Sequence, residues 1–170
     1  MKRSISIPTR RQKGFTLVEI SIAVVVAAAL LFGVFWLVGV IGERSAVKDE
    51  IQNFTMLAND TRTKFRNQGS YTGITPAVLV QLGVVPPEMV RGNNIVTAWE
   101  TNLAVAPTTL NGTAGDGVRF TYTLPRKSCS DFIDGVARNA ARITVGATVV
   151  KDVPNGVNAV NQANVATACN

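Results

Sequence analysis

Histidine is absent from all 170 residues, and only two cysteines occur, Cys129 and Cys169. They form no CxxC pair, so zinc and thioredoxin-like redox sites lack the imidazoles or paired thiolates they require. Nucleophilic chemistry also lacks parts, because there is no GxSxG serine and no cysteine beside a base. Asp131 and Asp134 share a helical face at i, i+3, and read as first-turn dipole residues rather than a catalytic pair. The Gly-Thr-Ala-Gly-Asp-Gly run at 112–117 is too loose for a phosphate loop and precedes a strand, so it reads as a surface loop. Only Asp152 follows Asp134 as a carboxylate, which is thin for calcium. No catalytic residue, metal or cofactor is expected, and an enzyme is the least favoured class.

Three further absences shape the N-terminal third. Residues 1–14 contain no acid, residues 20–42 no charge, and residues 15–68 no proline. What occupies those places is informative. Lys2, Arg3, Arg10, Arg11 and Lys13 supply five positive charges, so the formal +6 falls to 6 − 5 = +1 without them. Excess Lys and Arg before a first apolar span hold that end in the cytoplasm, so the basic balance reads as a topogenic signal rather than a nucleic-acid footprint. Glu43, Arg44, Lys48, Asp49 and Glu50 beyond the span nearly cancel, which suits export.

From Ile20 to Ile41 the chain runs 22 residues with one hydroxyl, Ser21. At about 1.5 Å per residue, a helix of that length crosses a hydrocarbon core of roughly 30 Å. Glu19 stands alone at its head, and residues 15–42 hold no other charged side chain to pair with it. A charge at the edge of a span is usually kept for a partner, which here must come from elsewhere. Two plainer readings compete. A cleaved secretory signal ending near Ala27-Ala28-Ala29 would leave Leu30–Ile41 as a bare apolar tail. A plain signal anchor accounts for everything except Glu19 and the Gly14-Phe15 junction.

Val47, Ile51, Phe54, Ala58, Thr61 and Phe65 recur at spacings of 4, 3, 4, 3 and 4, one face of an amphipathic helix. The opposite face carries Lys48, Asp49, Gln52, Asn59, Arg62 and Arg66, and the pattern stops at Asn67-Gln68-Gly69-Ser70. One helix over 15–68, about 80 Å long, is expected, with Gly33, Gly39 and Gly42 as places to bend or unwind. Further on, Pro76–Leu82 reads as a short helix after Thr75, and 99–106 as a strand ending at Pro107. Val118, Phe120, Tyr122 and Leu124 alternate with polar residues as a half-buried strand. Ser128 is expected to cap a helix running to about Ala141 and burying Phe132, Ile133, Val136 and Ala140. Residues 142–150 read as another strand, and the tail to Cys169 as a short helix or irregular segment. The cysteines of an exported domain read as one disulfide, worth about 4 kcal/mol for a 40-residue loop, against two free buried thiols.

Gly14-Phe15-Thr16-Leu17-Val18-Glu19, behind a basic leader and ahead of an apolar span, resembles the N-terminal signature of type IV pilins over about residues 10–70. The late cysteine pair and the segments around Trp99 and Ser128-Cys129 are similar to type IVb and conjugative thin-pilus pilins. The 14-residue leader and the Phe15 start lean instead to type IVa, many of which carry a proline in the span that is absent here. The resemblance implies cleavage between Gly14 and Phe15 by a prepilin peptidase, N-methylation of Phe15, and a ladle-shaped subunit polymerising with itself into a helical filament. An inner-membrane assembly platform and, before assembly, membrane lipid are the other partners it implies.

The expected fold class is α+β, a long transmembrane then amphipathic helix packed on an antiparallel head. Its parts are a cleaved leader (1–14), a filament-core helix (15–42), an amphipathic half (43–68) and a globular head (69–170). The new amine at Phe15 is a candidate partner for Glu19 of an adjacent subunit, which makes Glu19 the expected assembly residue. The expected location is the inner membrane with the N terminus cytoplasmic, then an extracellular filament. A type II secretion pseudopilin or a minor pilin is the alternative. Nucleic acid is not expected, because Arg119, Arg126, Lys127, Arg138 and Arg142 have no aromatic platform interleaved.

Overall fold

A computed structural model describes residues 16–170, without the side chains of 35–41 and 43. The leader, Gly14 and Phe15 lie outside the described residues. The chain divides into two compact units, the first ending at Val40 and the second covering Ile41–Asn170.

Helix α1 spans Leu17–Phe65 and contains Gly33, Gly39 and Gly42 without a break in its assignment, so none of them unwinds it. In the first unit the stretch Leu17–Val34 is long and apolar enough to cross a membrane, and none of it is buried within the chain. Beyond Ile41 the pattern inverts. Val47, Phe54, Leu57, Ala58, Thr61 and Phe65 are buried, while Lys48, Asp49, Gln52, Asn59, Arg62 and Arg66 are exposed, as the 3.6-residue period requires.

The second unit is α+β. Helix α2 (Pro76–Gln81) starts at Thr75, whose side chain accepts the Val78 amide at 3.3 Å. A 3-10 turn, Pro87–Met89, leads into a two-residue hairpin, β1 (Val90–Arg91) with β2 (Asn94–Ile95), which the sequence pattern did not foreshadow. Strands β3 (Ala104–Thr108) and β4 (Gly117–Thr121) pair antiparallel, from Ala104 against Thr121 to Thr108 against Gly117. Helix α3 is Arg126–Val136, followed by β5 (Arg142–Val145) and β6 (Thr148–Asp152), which pair with an irregularity at Ile143/Thr144. Helix α4 is Gln162–Ala168. The strands form three separate two-stranded sheets.

Several expectations are corrected here. Residues 99–101 form a turn, held by the Thr97 amide on the Thr101 carbonyl (2.9 Å), with Glu100 left-handed at φ 58°, so the strand begins at Ala104. Residues 142–150 are a hairpin and not one strand, because Gly146 turns the chain at φ 58°. Ser128 is not a cap. Helix α3 begins two residues earlier behind Pro125, whose φ of −62° is already helix-compatible, and Ser128 is buried inside it. The helix ends at Val136, short of Ala141. With that start, Asp131 and Asp134 lie past the first turn, both exposed, and Asp134 accepts from Gln162 Nε2 at 2.9 Å. The 112–117 run is exposed at residues 112–114 but buried at Gly115 and at Gly117, which already belongs to β4, and it is organised by Asp116, which accepts the Leu110 and Asn111 amides.

Three contiguous clusters make the core of the second unit. Leu57 and Phe65 meet Leu79, Met89, Ile95 and Leu103 in the first. Phe54 and Ala58 meet Phe132 and Val136 in the second, with Phe54 edge-on to Phe120, Tyr122 and Phe132. Cys129, Ile133, Val150 and Val165 form the third. Each fully buried aliphatic side chain contributes about 1.5–3 kcal/mol. Gly135 lets α3 approach α1, since a Cβ there would collide with the Ile51 side chain.

Candidate assembly site

The start of α1 is set by Thr16. Its Oγ1 accepts the Glu19 amide at 3.3 Å, and its carbonyl accepts the Ile20 amide at 3.2 Å. Thr16 and Glu19 thus stand three apart in the capping-box order, with the hydroxyl satisfying a first-turn amide that has no intrahelical acceptor. This places Glu19 in the first turn, where the helix dipole favours a carboxylate. Ser21 Oγ donates back to the Val18 carbonyl at 2.8 Å, so the one hydroxyl in the apolar run is satisfied internally. Around Glu19, Leu17 is 85% exposed and the following Val, Ile and Leu side chains are more than half exposed. Glu19 is itself exposed and has no ion pair among the described residues. Gly14 and Phe15, the other residues singled out from sequence, lie outside the described residues. The Thr-x-x-Glu spacing was legible in the sequence and marks the helix start.

The opposite end of the chain is pinned. Cys129 in α3 and Cys169 after α4 are joined by a disulfide, their Cα atoms 5.7 Å apart across 40 residues. Lys151, buried beneath α3, donates from Nζ to the Ala137 carbonyl at 2.5 Å and the Ala140 carbonyl at 2.9 Å. A cation at the end of a helix satisfies carbonyls that have no amide partner. Asp152 beside it pairs with Arg142 at 3.0 Å and accepts from Asn155 at 2.7 Å. The Asn155 bond, then Arg142, hold its carboxyl below the usual carboxylate range. The Leu110 amide does the same for Asp116. Arg119 donates to Thr108 Oγ1 and Arg62 to the Asn139 carbonyl, so both guanidinium groups are engaged in local bonds.

Glu50 is the residue the sequence pattern placed wrongly. It stood among charges that cancel beyond the span, yet its side chain has 0% exposure. The signal was present, because Glu50 falls in the buried series 47, 50, 54, 57, 58, 61 and 65. Its Oε2 accepts the Ala98 amide at 2.7 Å. Among the described residues no cluster of three or more acids or thiolates is arranged to hold a metal.

A capped apolar helix headed by an acid, continuing into an α+β unit with a late disulfide, is an α+β pilin-like arrangement. Residues 9–35 match the model of the prokaryotic N-terminal methylation motif, and residues 44–170 match that of PilS N terminal. The second match covers most of the chain, which therefore belongs to the PilS N-terminal family. No curated protein and no solved structure matches it. The two matches make the chain a structural, type IV pilin-like pilus subunit. The methylation motif implies processing by a prepilin peptidase and polymerisation into a pilus.

Proposed function

We propose that the chain is an inner-membrane prepilin, cut between Gly14 and Phe15, N-methylated on Phe15, and polymerised into an extracellular filament with Glu19 as its assembly residue. In this reading residues 1–14 are a leader that remains cytoplasmic. Residues 15–42 span the membrane and later form the filament core, 43–68 pack on the globular part, and 69–170 form the displayed surface. The observation that carries it is the conjunction at the start of α1: an apolar stretch, Leu17–Val34, none of it buried, headed by a carboxylate with no ion pair among the described residues. An unpaired acid at the centre of a bilayer costs roughly 2.5–3.5 kcal/mol, and less near the interface. Cleavage creates an ammonium at Phe15, and pairing it with Glu19 of a neighbouring copy removes that cost only when subunits stack. Axial register follows, because one acid meets one amine.

The platform that drives stacking and the lipid that solvates the helix beforehand are the other partners of this reading. Adhesion, aggregation and conjugation are the roles such a filament would serve. Electron microscopy of sheared surface filaments, with N-terminal sequencing and mass measurement of their subunit, tests the proposal. Long fibres whose subunit begins at methylated Phe15 support it. Short stubs seen only on overexpression assign the chain to the pseudopilins instead. A soluble extracellular monomer beginning far downstream of residue 15 overturns both.

A further inference from the structure

One buried carboxylate on α1 has no part in that assembly scheme. Glu50 is fully buried, one oxygen bonded to the Ala98 amide and the other, Oε1, with neither solvent nor a hydrogen bond. Facing it from the end of β4 is Tyr122, whose hydroxyl is also buried without a partner of good geometry. The two are nevertheless close enough to act on each other electrostatically. A third buried group without a partner, Trp99 Nε1, belongs to the same turn as Ala98, and its ring packs edge-on to Phe132 at 5.8 Å. The turn is also tied internally by the Thr97 amide on the Thr101 carbonyl and the Glu100 amide on the Thr97 carbonyl, both at 2.9 Å. Thr97 Oγ1 meets Thr101 Oγ1 at 2.8 Å, Thr101 Oγ1 donates to the Thr123 carbonyl at 2.8 Å, and Glu100 is held left-handed.

We propose that Glu50 is a proton-operated latch that fastens the 97–101 turn and β4 to α1, closed when the carboxyl is neutral and loosened when it is ionised. An ionised carboxylate here keeps a full charge out of water, held by the Ala98 amide and drawn to the Tyr122 hydroxyl but without an ion pair among the described residues, and buried charge without a counter-ion is strongly destabilising. A proton on Oε1 removes the charge and converts that oxygen into a donor for Tyr122 Oη, while Oε2 still accepts from Ala98. Burial accordingly pushes Glu50 above the usual carboxylate range, against the opposing pull of the Ala98 and Tyr122 bonds. Tyr122 is pushed far up by burial and by the charge of Glu50, so it stays protonated. The remaining charged groups on the surrounding elements sit at exposed positions: Lys48 and Asp49 on α1, Glu100 in the turn, Asp131 and Asp134 on α3. None of them contributes to the shift of Glu50.

The direction of the pH dependence follows. The folded chain holds this proton more tightly than the unfolded chain, so the latch is closed below the ordinary value of 4.5. Its contribution is lost as pH rises through the raised value. Within that window the unfolding constant rises by up to about tenfold per pH unit.

The test uses the full chain in detergent micelles with Trp36→Phe, which leaves Trp99 as the one tryptophan. Denaturation followed by Trp99 fluorescence is expected to show a midpoint that falls as pH rises above the ordinary carboxylate value of 4.5. Glu50→Gln, which keeps the oxygen facing Ala98 but cannot ionise, is expected to flatten that fall. An equal fall in both chains overturns the latch. A second measurement needs no variant: the hydrogen-exchange protection factor of the Ala98 amide, read by NMR. It is expected to decrease with pH as the turn opens, and a constant protection factor over the same range overturns the proposal whether or not Glu50→Gln folds.

Discussion

The two halves of α1 use one secondary structure for opposite ends. From Leu17 to Val34 nothing is buried within the chain, and the side chains are almost all apolar. From Val47 to Phe65 the helix alternates buried and exposed faces, and its buried face includes the acid Glu50 beside Leu57 and Phe54. Each half therefore holds one carboxylate in a setting that ordinary solvent does not explain. Glu19 is exposed on an apolar surface without an ion pair among the described residues, and Glu50 is sealed under a turn. The lesson is that a lone acid in an apolar helix can mark a partner outside the chain, whereas a lone acid at a core position marks one within it.

That contrast can be broken first at Glu19. Glu19→Ala is expected to leave insertion and folding unchanged while surface filaments fall below detection by electron microscopy, and normal filaments would remove Glu19 from assembly. In the second unit the largest thermodynamic effect is expected at the disulfide. Replacing Cys129 and Cys169 by Ser should cost about 4 kcal/mol in chemical denaturation. Leu57→Ala, at a position with 0% exposure, should cost about 2–5 kcal/mol. The matching change Leu30→Ala, at a position 66% exposed within the chain, should leave denaturation of the second unit unmoved. Gly135→Ala should cost about 1–3 kcal/mol by forcing Ile51 aside, partly offset by the better helix propensity of alanine.

The smallest effect is a pH dependence opposite in sign to that of Glu50. Asp116 and Asp152 have lowered folded values, so their contribution is full above the ordinary 3.8 and is lost as pH falls through the folded value. Replacing Asp152 by Asn should weaken the acid-side loss of stability in a denaturation series and leave the alkaline side unchanged.

Much of the fold was readable before any coordinates. The 4-3-4-3-4 spacing from Val47 to Phe65 is buried except at Ile51, which is half-buried, and the alternation of Val118, Phe120, Tyr122 and Leu124 marks half-buried positions flanked by exposed Arg119, Thr121 and Thr123. Thr75-Pro76 marked the start of α2. The misses have two causes. The Trp99–Thr101 turn and the hairpin at Gly146 depend on positive φ values, which local propensity does not register, whereas the start of α3 at Arg126 follows Pro125, a local signal passed over in favour of Ser128. Among site residues, Glu19 stood out because nothing near it in sequence is charged. Glu50 was hidden by its charged neighbours Lys48 and Asp49, which project to solvent while it turns inward.

Sequence alone therefore determined the apolar helix, the acid at its head, the basic flank before it and the amphipathic continuation, because periodicity and charge are written residue by residue along the chain. Tertiary structure alone decided which acid is buried, where the turn at Glu100 falls, that the strands pair as three hairpins rather than one sheet, and that Lys151 ends α3. Those outcomes depend on desolvation and on partners tens of residues away, and both arise only when the chain closes on itself.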